Sequence, residues 1–231
     1  MNGARIRALL AADMRLQYRH GIYLAYGVVI AFYLALLIGA RAHLPDWAVG
    51  MIIYSDPAAL GFFFLGALMM LERGENVRGA LAATPVSGGE YFLSKVVTLT
   101  GLTILACVIL LAAHGAGNAP LLLIATTLTA LCYLGLGVPV ALRFRTVNAY
   151  LIGSAAWLTP LLLPSGLALL DPFPAWAVVW PPVAQFRLIL VATGYGTAGP
   201  TDLAVMLAVC ALAAVLTCAW ALRALAGVFG K

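Results

Sequence analysis

The sequence predicts an all-α integral membrane protein. It has six transmembrane helices, an N-terminal interfacial helix, a short cytoplasmic helix, and a re-entrant segment between the fifth and sixth spans. The 231 residues are 64% hydrophobic and only 9% charged, with a mean hydropathy of +1.04, whereas soluble domains carry about 25% charged residues. Six apolar runs are near the ~20 residues that a bilayer requires. No polar stretch exceeds roughly 25–30 residues, too short for an independent domain, so residues 1–231 form one transmembrane domain.

The first 21 residues predict a helix that lies along the membrane surface. On a helical wheel over residues 4–20, three arginines cluster on one side and most apolar residues lie opposite. The arginines are Arg5, Arg15 and Arg19, and the apolar residues are Ile6, Leu9, Leu10, Met14 and Leu16. Asp13 and Gln17 interrupt the apolar side, so the amphipathic pattern is imperfect.

Apolar runs then predict the membrane spans, at residues 22–40, 49–71, 94–113, 119–142, 148–170 and 203–222. Residues 173–193 are also apolar, but three prolines and Arg187 interrupt them. Because proline breaks a helix interior, we expect two helical halves that enter the membrane and return rather than a seventh span. Trp176 and Trp180 would lie at the membrane–water boundary.

The distribution of basic residues predicts the orientation. With the N-terminus inside, eleven of the thirteen Lys and Arg residues fall on the cytoplasmic side, and only Arg41 and Arg187 fall outside. This bias follows the positive-inside rule. It predicts a multi-pass protein of the cytoplasmic (inner) membrane, with both termini and residues 72–95 in the cytoplasm.

Several functional classes find no support in the sequence. It contains no GxxxxGK[ST] motif, so no P-loop binds ATP on this chain. The three histidines fall in different segments, and the four cysteines lie in apolar runs without metal-ligand spacing, so neither a zinc site nor a catalytic triad is indicated. The net charge of +5 comes from residues at the ends of spans, which does not indicate nucleic acid binding.

Asp56 is the carboxylate within the predicted second span. It lies ~24 Å from Glu72 along a helix, which places it toward the outer face, and it precedes Pro57. One interpretation is a helix cap or kink near the interface; the other is a contact with a substrate or gate.

The longest polar interruption is Leu71–Lys95. Residues 75–83 predict a short helix with an apolar face formed by Val77, Ala80, Leu81 and Thr84. Pro85 ends this helix. Ser87 and Glu90 then have the spacing of a capping box, which predicts a sharp start to the third span. The alternative is a merely solvated loop.

This region resembles the permeases of the type-2 ABC exporter family. That family has an acidic residue and a glycine after the second span, a short helix, a Thr-Pro-like turn, and a Tyr-Leu-x-x-Lys-like start to the third span. The matching residues here are Glu72, Arg73, Gly74, Gly79, Leu81, Thr84, Pro85, Tyr91, Ser94 and Lys95. Residues 143–150, RFRTVNAY, resemble the fourth-to-fifth-span loop of fluoroquinolone-exporter-type permeases within that family.

The resemblance implies a complex of two permeases, identical or related, with two copies of a separate ABC ATPase subunit. ATP and Mg would bind the ATPase, with no cofactor on this chain. Residues 72–90 would form the coupling loop, with the helix at 75–83 lodged in a cleft of the ATPase. The implied coupling residues are Glu72, Arg73, Glu75, Val77, Arg78, Leu81, Thr84, Pro85 and Glu90.

The resemblance also implies a substrate pathway between the second and fifth spans. The residues that would line it are Asp56, Phe62, Phe63, Phe64, Asn148 and Trp157. An apolar, aromatic wall suits a hydrophobic or amphiphilic substrate taken from the membrane; lipid-facing or helix-packing roles are the alternative for each residue. Two other functions stay open, namely an ATP-independent secondary transporter or channel and a non-transport membrane assembly factor.

Overall fold

A computed structural model describes residues 3–40, 43–75, 84, 86–115 and 117–229. All regular elements within these ranges are helical, as the composition predicts. The helices are α1 Gly3–Arg19, α2 Ile22–Gly39, α3 Asp46–Ala58, α4 Leu65–Gly74, α5 Gly88–His114, α6 Ala119–Ala141, α7 Val147–Leu162, α8 Pro181–Thr193 and α9 Pro200–Phe229. Among the described residues, six helical segments are long and apolar enough to cross a membrane, which confirms the six predicted spans.

A tight turn separates α1 from α2. Gly21 adopts a left-handed conformation with φ of +67°, which a residue with a Cβ rarely adopts. The turn ends α1 and starts the first span at Ile22. As a result, α1 packs against both α2 and the third span, α5. That α1 lies in the membrane interface stays a prediction.

The second span is a composite helix from Asp46 to Gly74. It consists of α3, a π-helical turn at Ala59–Phe64, and α4. Pro57 lies at the end of α3, where its missing N–H removes a helical hydrogen bond and favours a local change of helix type. In its most apolar window 75% of the residues are buried, against 22% in the first, fifth and sixth spans. The second span therefore lies at the centre of the helix bundle.

The third and fourth spans begin with side-chain caps. At α5, Ser87 Oγ accepts from Glu90 N at 3.2 Å and Glu90 Oε2 accepts from Ser87 N at 3.1 Å. This arrangement confirms the predicted capping box. It starts the helix at Gly88, six residues before the predicted start of the span. Asn118 Oδ1 accepts from Leu121 N at 3.1 Å and caps α6 in the same way.

The fourth span, α6, is central to the bundle. It packs against α5, α8, α9 and the second span. Its crossing with α9 is close because Gly135 lies against the α9 backbone. A Cβ at Gly135 would lie 2.6 Å from the carbonyl carbon of Thr217. Small residues allow this approach between membrane helices.

The segment between the fifth and sixth spans is helical but short. The fifth span continues from α7 into a 3-10 helix at Leu163–Leu169. A second 3-10 helix follows at Ala175–Val179, and α8 follows with 13 residues. Such a helix is ~20 Å long, less than the ~30 Å thickness of a bilayer core. It therefore does not form a seventh span, whereas its re-entrance into the bilayer stays a prediction.

Candidate functional site

The inward face of α1 is partly polar. Its buried residues are Leu9, Asp13 and Gln17, which recur every four positions and therefore share one side of the helix. Met14, expected on the apolar side, is 48% exposed. Gln17 Nε2 donates to Thr98 Oγ1 of α5 at 3.1 Å. The two polar residues that interrupt the amphipathic pattern are therefore those that face the bundle.

Lys95 lies at the centre of this polar contact. Its side chain is 1% exposed, and its Nζ lies 2.7 Å from Asp13 Oδ1. The same ammonium group donates to Glu72 Oε1 at the end of the second span. The ring centroid of Tyr91 lies 4.7 Å from Lys95 Nζ, within range of a cation–π interaction. One cation thus contacts side chains from α1, α4 and α5.

Two hydroxyl groups complete the hydrogen bonding of the carboxylates. Tyr91 donates to Glu72 Oε2, and Ser94 donates to Asp13 Oδ2. We call Asp13, Glu72, Tyr91, Ser94 and Lys95 the Lys95 cluster. All five are less than 9% exposed.

The Lys95 cluster is a fully paired buried ionic network. Burial of a charge is costly unless the charge is paired and hydrogen-bonded. Here each carboxylate has both an ammonium and a hydroxyl donor, so the network meets that requirement. Removal of Lys95 would leave both carboxylates buried without their cation, because the same ammonium contacts Asp13 and Glu72. The cluster therefore links α1 and the adjoining ends of the second and third spans into one unit.

The predicted coupling residues divide into buried and exposed groups. Glu72 belongs to the Lys95 cluster, and Glu90 is 2% exposed and forms the capping box. Arg73 is exposed, and its Nη1 donates to the Phe144 carbonyl at 3.4 Å. Glu75 is also exposed and pairs with Arg19 at 2.9 Å.

Other predicted coupling residues fall in or beside the stretch that follows Glu75. Thr84 is exposed, and its Oγ1 accepts from Val86 N at 3.4 Å. Val77, Arg78, Leu81 and Pro85 lie outside the described residues. The predicted helix at 75–83 therefore stays a prediction.

An apolar cavity of about 360 Å³ lies between the second span, the fifth span and α8. Its lining includes Phe63, Leu158 and Leu162, and three hydroxyl-bearing residues, Tyr54, Ser55 and Ser165. The Tyr54 ring stacks on Phe186 with a centroid distance of 4.9 Å. Because Phe63 is a predicted pathway residue, this cavity touches the predicted pathway.

The predicted pathway residues do not share one surface. Phe62 is 2% exposed and its ring stacks on that of Tyr150, whereas Phe63 lines the cavity. Phe64 packs with the first and third spans.

The two predicted pathway residues on the fifth span lie at the surface. Asn148 is exposed, and Trp157 is 54% exposed, with its ring 5.3 Å from the Arg143 guanidinium carbon.

Asp56 lies deeper than the sequence indicates. It is 5% exposed, and both carboxylate oxygens accept from the Tyr26 hydroxyl, at 2.7 and 2.8 Å. That hydroxyl is also 3.4 Å from the carbonyl of Leu102, near the midpoint of α5. Because the second span begins at Asp46, Asp56 is ~15 Å from its start, close to half of a bilayer core. The side chain thus joins the first, second and third spans.

Part of the Lys95 cluster can be recognised in the sequence, because its polar residues lie on helix faces that should be buried. Asp13 and Gln17 lie four residues apart on the apolar side of α1, and Ser94 and Lys95 lie inside the predicted third span. Polar residues on faces that should be buried require partners. Their mutual pairing could therefore have been inferred, whereas the choice of partners depends on how the helices pack.

The six membrane-length segments, the buried ionic network and the apolar cavity define a multi-pass helical membrane protein. Comparison with known proteins narrows this class. The chain belongs to the fluoroquinolones export permease protein family, whose sequence model matches residues 4–229. The family is described as one of export permeases, which indicates a transport permease.

Two similar proteins carry the same description. They are fluoroquinolones export permease proteins of Mycobacterium tuberculosis, from strains CDC 1551 / Oshkosh and ATCC 25618 / H37Rv. Each is 27% identical to this chain over 179 residues, which cover 77% of this chain and 73% of the relative. No solved structure matches the chain.

Proposed function

We propose that this protein is the membrane subunit of an ATP-driven ABC exporter that moves a hydrophobic or amphiphilic, drug-like molecule or lipid out of the cell. Two permeases, identical or related, work with two copies of a separate ATPase subunit, which binds ATP and Mg. The protein lies in the cytoplasmic membrane, with both termini and the loop after the second span in the cytoplasm. Membership of an export permease family supports the transport role.

The Lys95 cluster is the observation that carries the proposal. It joins α1 and both ends of the loop between the second and third spans through buried charges. Residues 76–83 connect these two anchored ends, within a few residues of Glu72 on one side and of the capping box on the other. A displacement of this loop by a partner protein would therefore be passed to three helices together.

Because the sequence contains no P-loop, ATP hydrolysis on a separate subunit has to be coupled mechanically to this permease. A fully paired buried ionic network favours one arrangement of its helices, because separation would expose or orphan several charges. ATP-driven approach of two ATPase subunits would press on two such loops. The Lys95 cluster would convert this pressure into movement of α1, the second span and the third span.

The cavity of about 360 Å³ supports an apolar substrate. It lies on the second span, which continues directly into the Lys95 cluster through α4. A movement of α4 would therefore act on the same helix that forms one wall of the cavity. The mostly hydrophobic lining with a few hydroxyl groups fits a ligand with limited polarity.

Substitution of the predicted docking residue tests the partnership. Leu81→Asp would place a charge in a cleft built for an apolar side chain, which adds a burial cost to the loss of an anchor. We expect the variant to insert into membranes but to lose ATPase binding in a pull-down from membranes, together with ATP-driven export. Leu81→Met, similar in volume and apolar, is the matched control and should retain both. Normal ATPase binding and normal ATP-driven export by Leu81→Asp would refute the role of this loop.

A second experiment separates this function from secondary transport. Uptake of a fluorescent fluoroquinolone into inverted vesicles containing the permease and its ATPase, which corresponds to export from the cell, should require ATP hydrolysis. It should persist when an uncoupler collapses the proton gradient. Export that requires the gradient and ignores ATP would instead support an ion-coupled transporter, in which the buried Asp56 would be the first residue to test.

A further inference from the structure

A second buried cation lies at the opposite end of the molecule from the Lys95 cluster. The third span, α5, starts beside that cluster and ends at His114, whose Nε2 lies 3.2 Å from the Thr193 carbonyl. The chain just after Thr193 forms part of a cavity of about 380 Å³. Its lining combines three charged side chains, Asp171, Arg187 and Asp202, with an apolar wall that includes Phe173, Val178, Val205 and Met206. We call this space the Arg187 cavity.

The guanidinium of Arg187 is held in place by neutral groups. Arg187 is 3% exposed. Its Nη1 donates to the Ala168 carbonyl at 3.0 Å, and its Nη2 donates to the Thr197 carbonyl at 3.5 Å. The Phe173 ring centroid lies 5.0 Å from the guanidinium carbon. On another side lies Gly196, where a Cβ would come within 2.9 Å of Nη2.

This cation lacks the ionic partner that a buried charge needs. Within the described ranges, no carboxylate oxygen lies within 4.0 Å of Arg187, and its buried Nε has no hydrogen-bond partner. Carbonyl groups and a ring compensate a guanidinium less well than an oxyanion does. A planar guanidinium with a free donor is a preorganised receptor for a carboxylate or a phosphate.

Two carboxylates of the same cavity determine which anions fit. Asp171 and Asp202 are exposed, and Asp202 Oδ2 accepts from Gly199 N at 3.2 Å at the start of α9. They would repel a ligand that carries only negative charge and attract one that also carries a cation. The apolar wall adds affinity for a hydrocarbon or ring system.

We propose that the Arg187 cavity binds a zwitterionic amphiphile. Its carboxylate or phosphate pairs with Arg187, its ammonium group faces Asp171 and Asp202, and its apolar part lies against Val178 and Val205. A membrane lipid with a phosphate and an amine has this chemistry, and so does an exported compound with a carboxylate and an amine. Binding at the site requires neither an ATPase nor transport, whereas its assignment to exported compounds rests on the proposed function.

Calorimetric titration of the purified full-length permease in a non-ionic detergent tests the proposal. The three probes are dihexanoyl-phosphatidylethanolamine, dihexanoyl-phosphatidylglycerol, and a fluoroquinolone with both a carboxylate and an amine. We expect the first or the third to bind, and phosphatidylglycerol, which has the phosphate without the ammonium, to bind about tenfold more weakly. Binding of the ethanolamine lipid alone assigns the site to membrane lipid, and binding of the fluoroquinolone alone assigns it to exported compounds.

Variants of the charged residues distinguish ionic recognition of the ligand from non-specific hydrophobic binding. Arg187→Gln should weaken binding of the zwitterion by about tenfold or more, the value of one charge-assisted hydrogen bond. The double change Asp171→Asn with Asp202→Asn should abolish the preference over phosphatidylglycerol. Asp46→Asn, which removes a carboxylate at the start of α3 outside the cavity, is the matched control and should leave binding unchanged.

A third variant keeps the test valid if Arg187→Gln does not fold. Val205 lines the cavity and is 48% exposed, so Val205→Trp should fill the cavity and block binding without loss of the fold. Val215→Trp, on the same helix and 65% exposed outside the cavity, is its control and should bind normally. The proposal is overturned if neither zwitterion binds, if Val205→Trp binds as well as Val215→Trp, or if the double Asn variant retains the preference.

Discussion

Lys95 and Arg187, the two buried cations among the described residues, have opposite surroundings. Lys95 contacts two carboxylates that are themselves fully hydrogen-bonded, and its cluster joins three helices. Arg187 is buried to nearly the same extent, but it contacts two carbonyls and an aromatic ring while two carboxylates lie apart from it in the same cavity. Burial alone therefore does not distinguish a structural charge from a binding one; the ionic partners do.

This contrast separates mechanical from recognition roles. A charge whose partners all belong to the protein has no remaining capacity for a ligand, and its network holds the surrounding helices in fixed relation. A charge with incomplete pairing retains capacity for an incoming ion. The comparison predicts that removal of Lys95 and removal of Arg187 lower the free energy of unfolding by different amounts.

The largest effect should come from Lys95→Met. This change leaves Asp13 and Glu72 buried without their cation, and loss of one partner of a buried ion pair typically costs about 3–5 kcal/mol. Denaturant titration of the purified protein should show this loss in the apparent free energy of unfolding. Arg223→Met removes an exposed cation of α9 and should cost no more than about 0.5 kcal/mol.

A neutral version of the Lys95 cluster sharpens this prediction. The triple change Asp13→Asn, Glu72→Gln and Lys95→Met removes every charge, so it should recover most of the stability lost in Lys95→Met alone. If the triple variant is less stable than the single variant, electrostatic pairing is not the main contribution of the cluster.

Arg187→Gln should have a smaller effect, about 1–3 kcal/mol. It leaves two carbonyls with fewer donors but orphans no opposite charge, because neutral groups hold the guanidinium. The same titration, run in detergent without added lipid, measures it. A loss equal to that of Lys95→Met would contradict the distinction between the two sites.

The exposed ion pair between Arg19 and Glu75 should contribute least to the free energy of unfolding among the charged contacts compared. Arg19 has 72% of its side chain exposed, and such surface pairs typically contribute about 0.2–1 kcal/mol. Arg19→Ala should therefore shift the unfolding midpoint only slightly, and the shift should shrink further at high salt. A large, salt-independent loss would show that α1 depends on this pair more than on the Lys95 cluster.

A labelling experiment with no expected effect on stability determines which side each region faces. Thr201→Cys and Thr84→Cys place thiols at exposed positions near the Arg187 cavity and the Lys95 cluster, respectively. An impermeant maleimide added to intact cells should label only Thr201→Cys. Three native cysteines are buried and Cys218 is partly buried, so the unsubstituted protein serves as the background. The opposite pattern would invert the predicted orientation.

Local sequence patterns predict the elements of this fold well. Hydrophobic runs locate all six spans, and the spacing of Ser87 and Glu90 predicts a capping box that the structure confirms. These features depend on residues close together in the chain, so composition and spacing are enough to reveal them.

Contacts between distant segments are predicted less well. The pairing of Asp13 with Lys95 and of Tyr26 with Asp56 joins residues 82 and 30 positions apart. Helical periodicity gives the face on which each side chain lies but not the helix that faces it. Sequence patterns identify Arg187 as an interruption of an apolar run and as an outside cation. They do not predict its cavity, which forms from separated parts of the connection between the fifth and sixth spans and from the start of α9.

The π-helical turn at Ala59–Phe64 interrupts the α-helical hydrogen bonding of the second span between its two buried carboxylates. An i→i+5 turn holds one residue more than an α-helical turn, so the extra residue is absorbed between Asp56 and Glu72. Deletion of one residue within the turn would let it close as an α-helix and leave both carboxylates facing Tyr26 and Lys95. The same deletion elsewhere between them would rotate one carboxylate by roughly 100° relative to the other and break one of the two contacts. The turn is thus the one place along the second span where the length of the chain can change while the register of both buried carboxylates is kept.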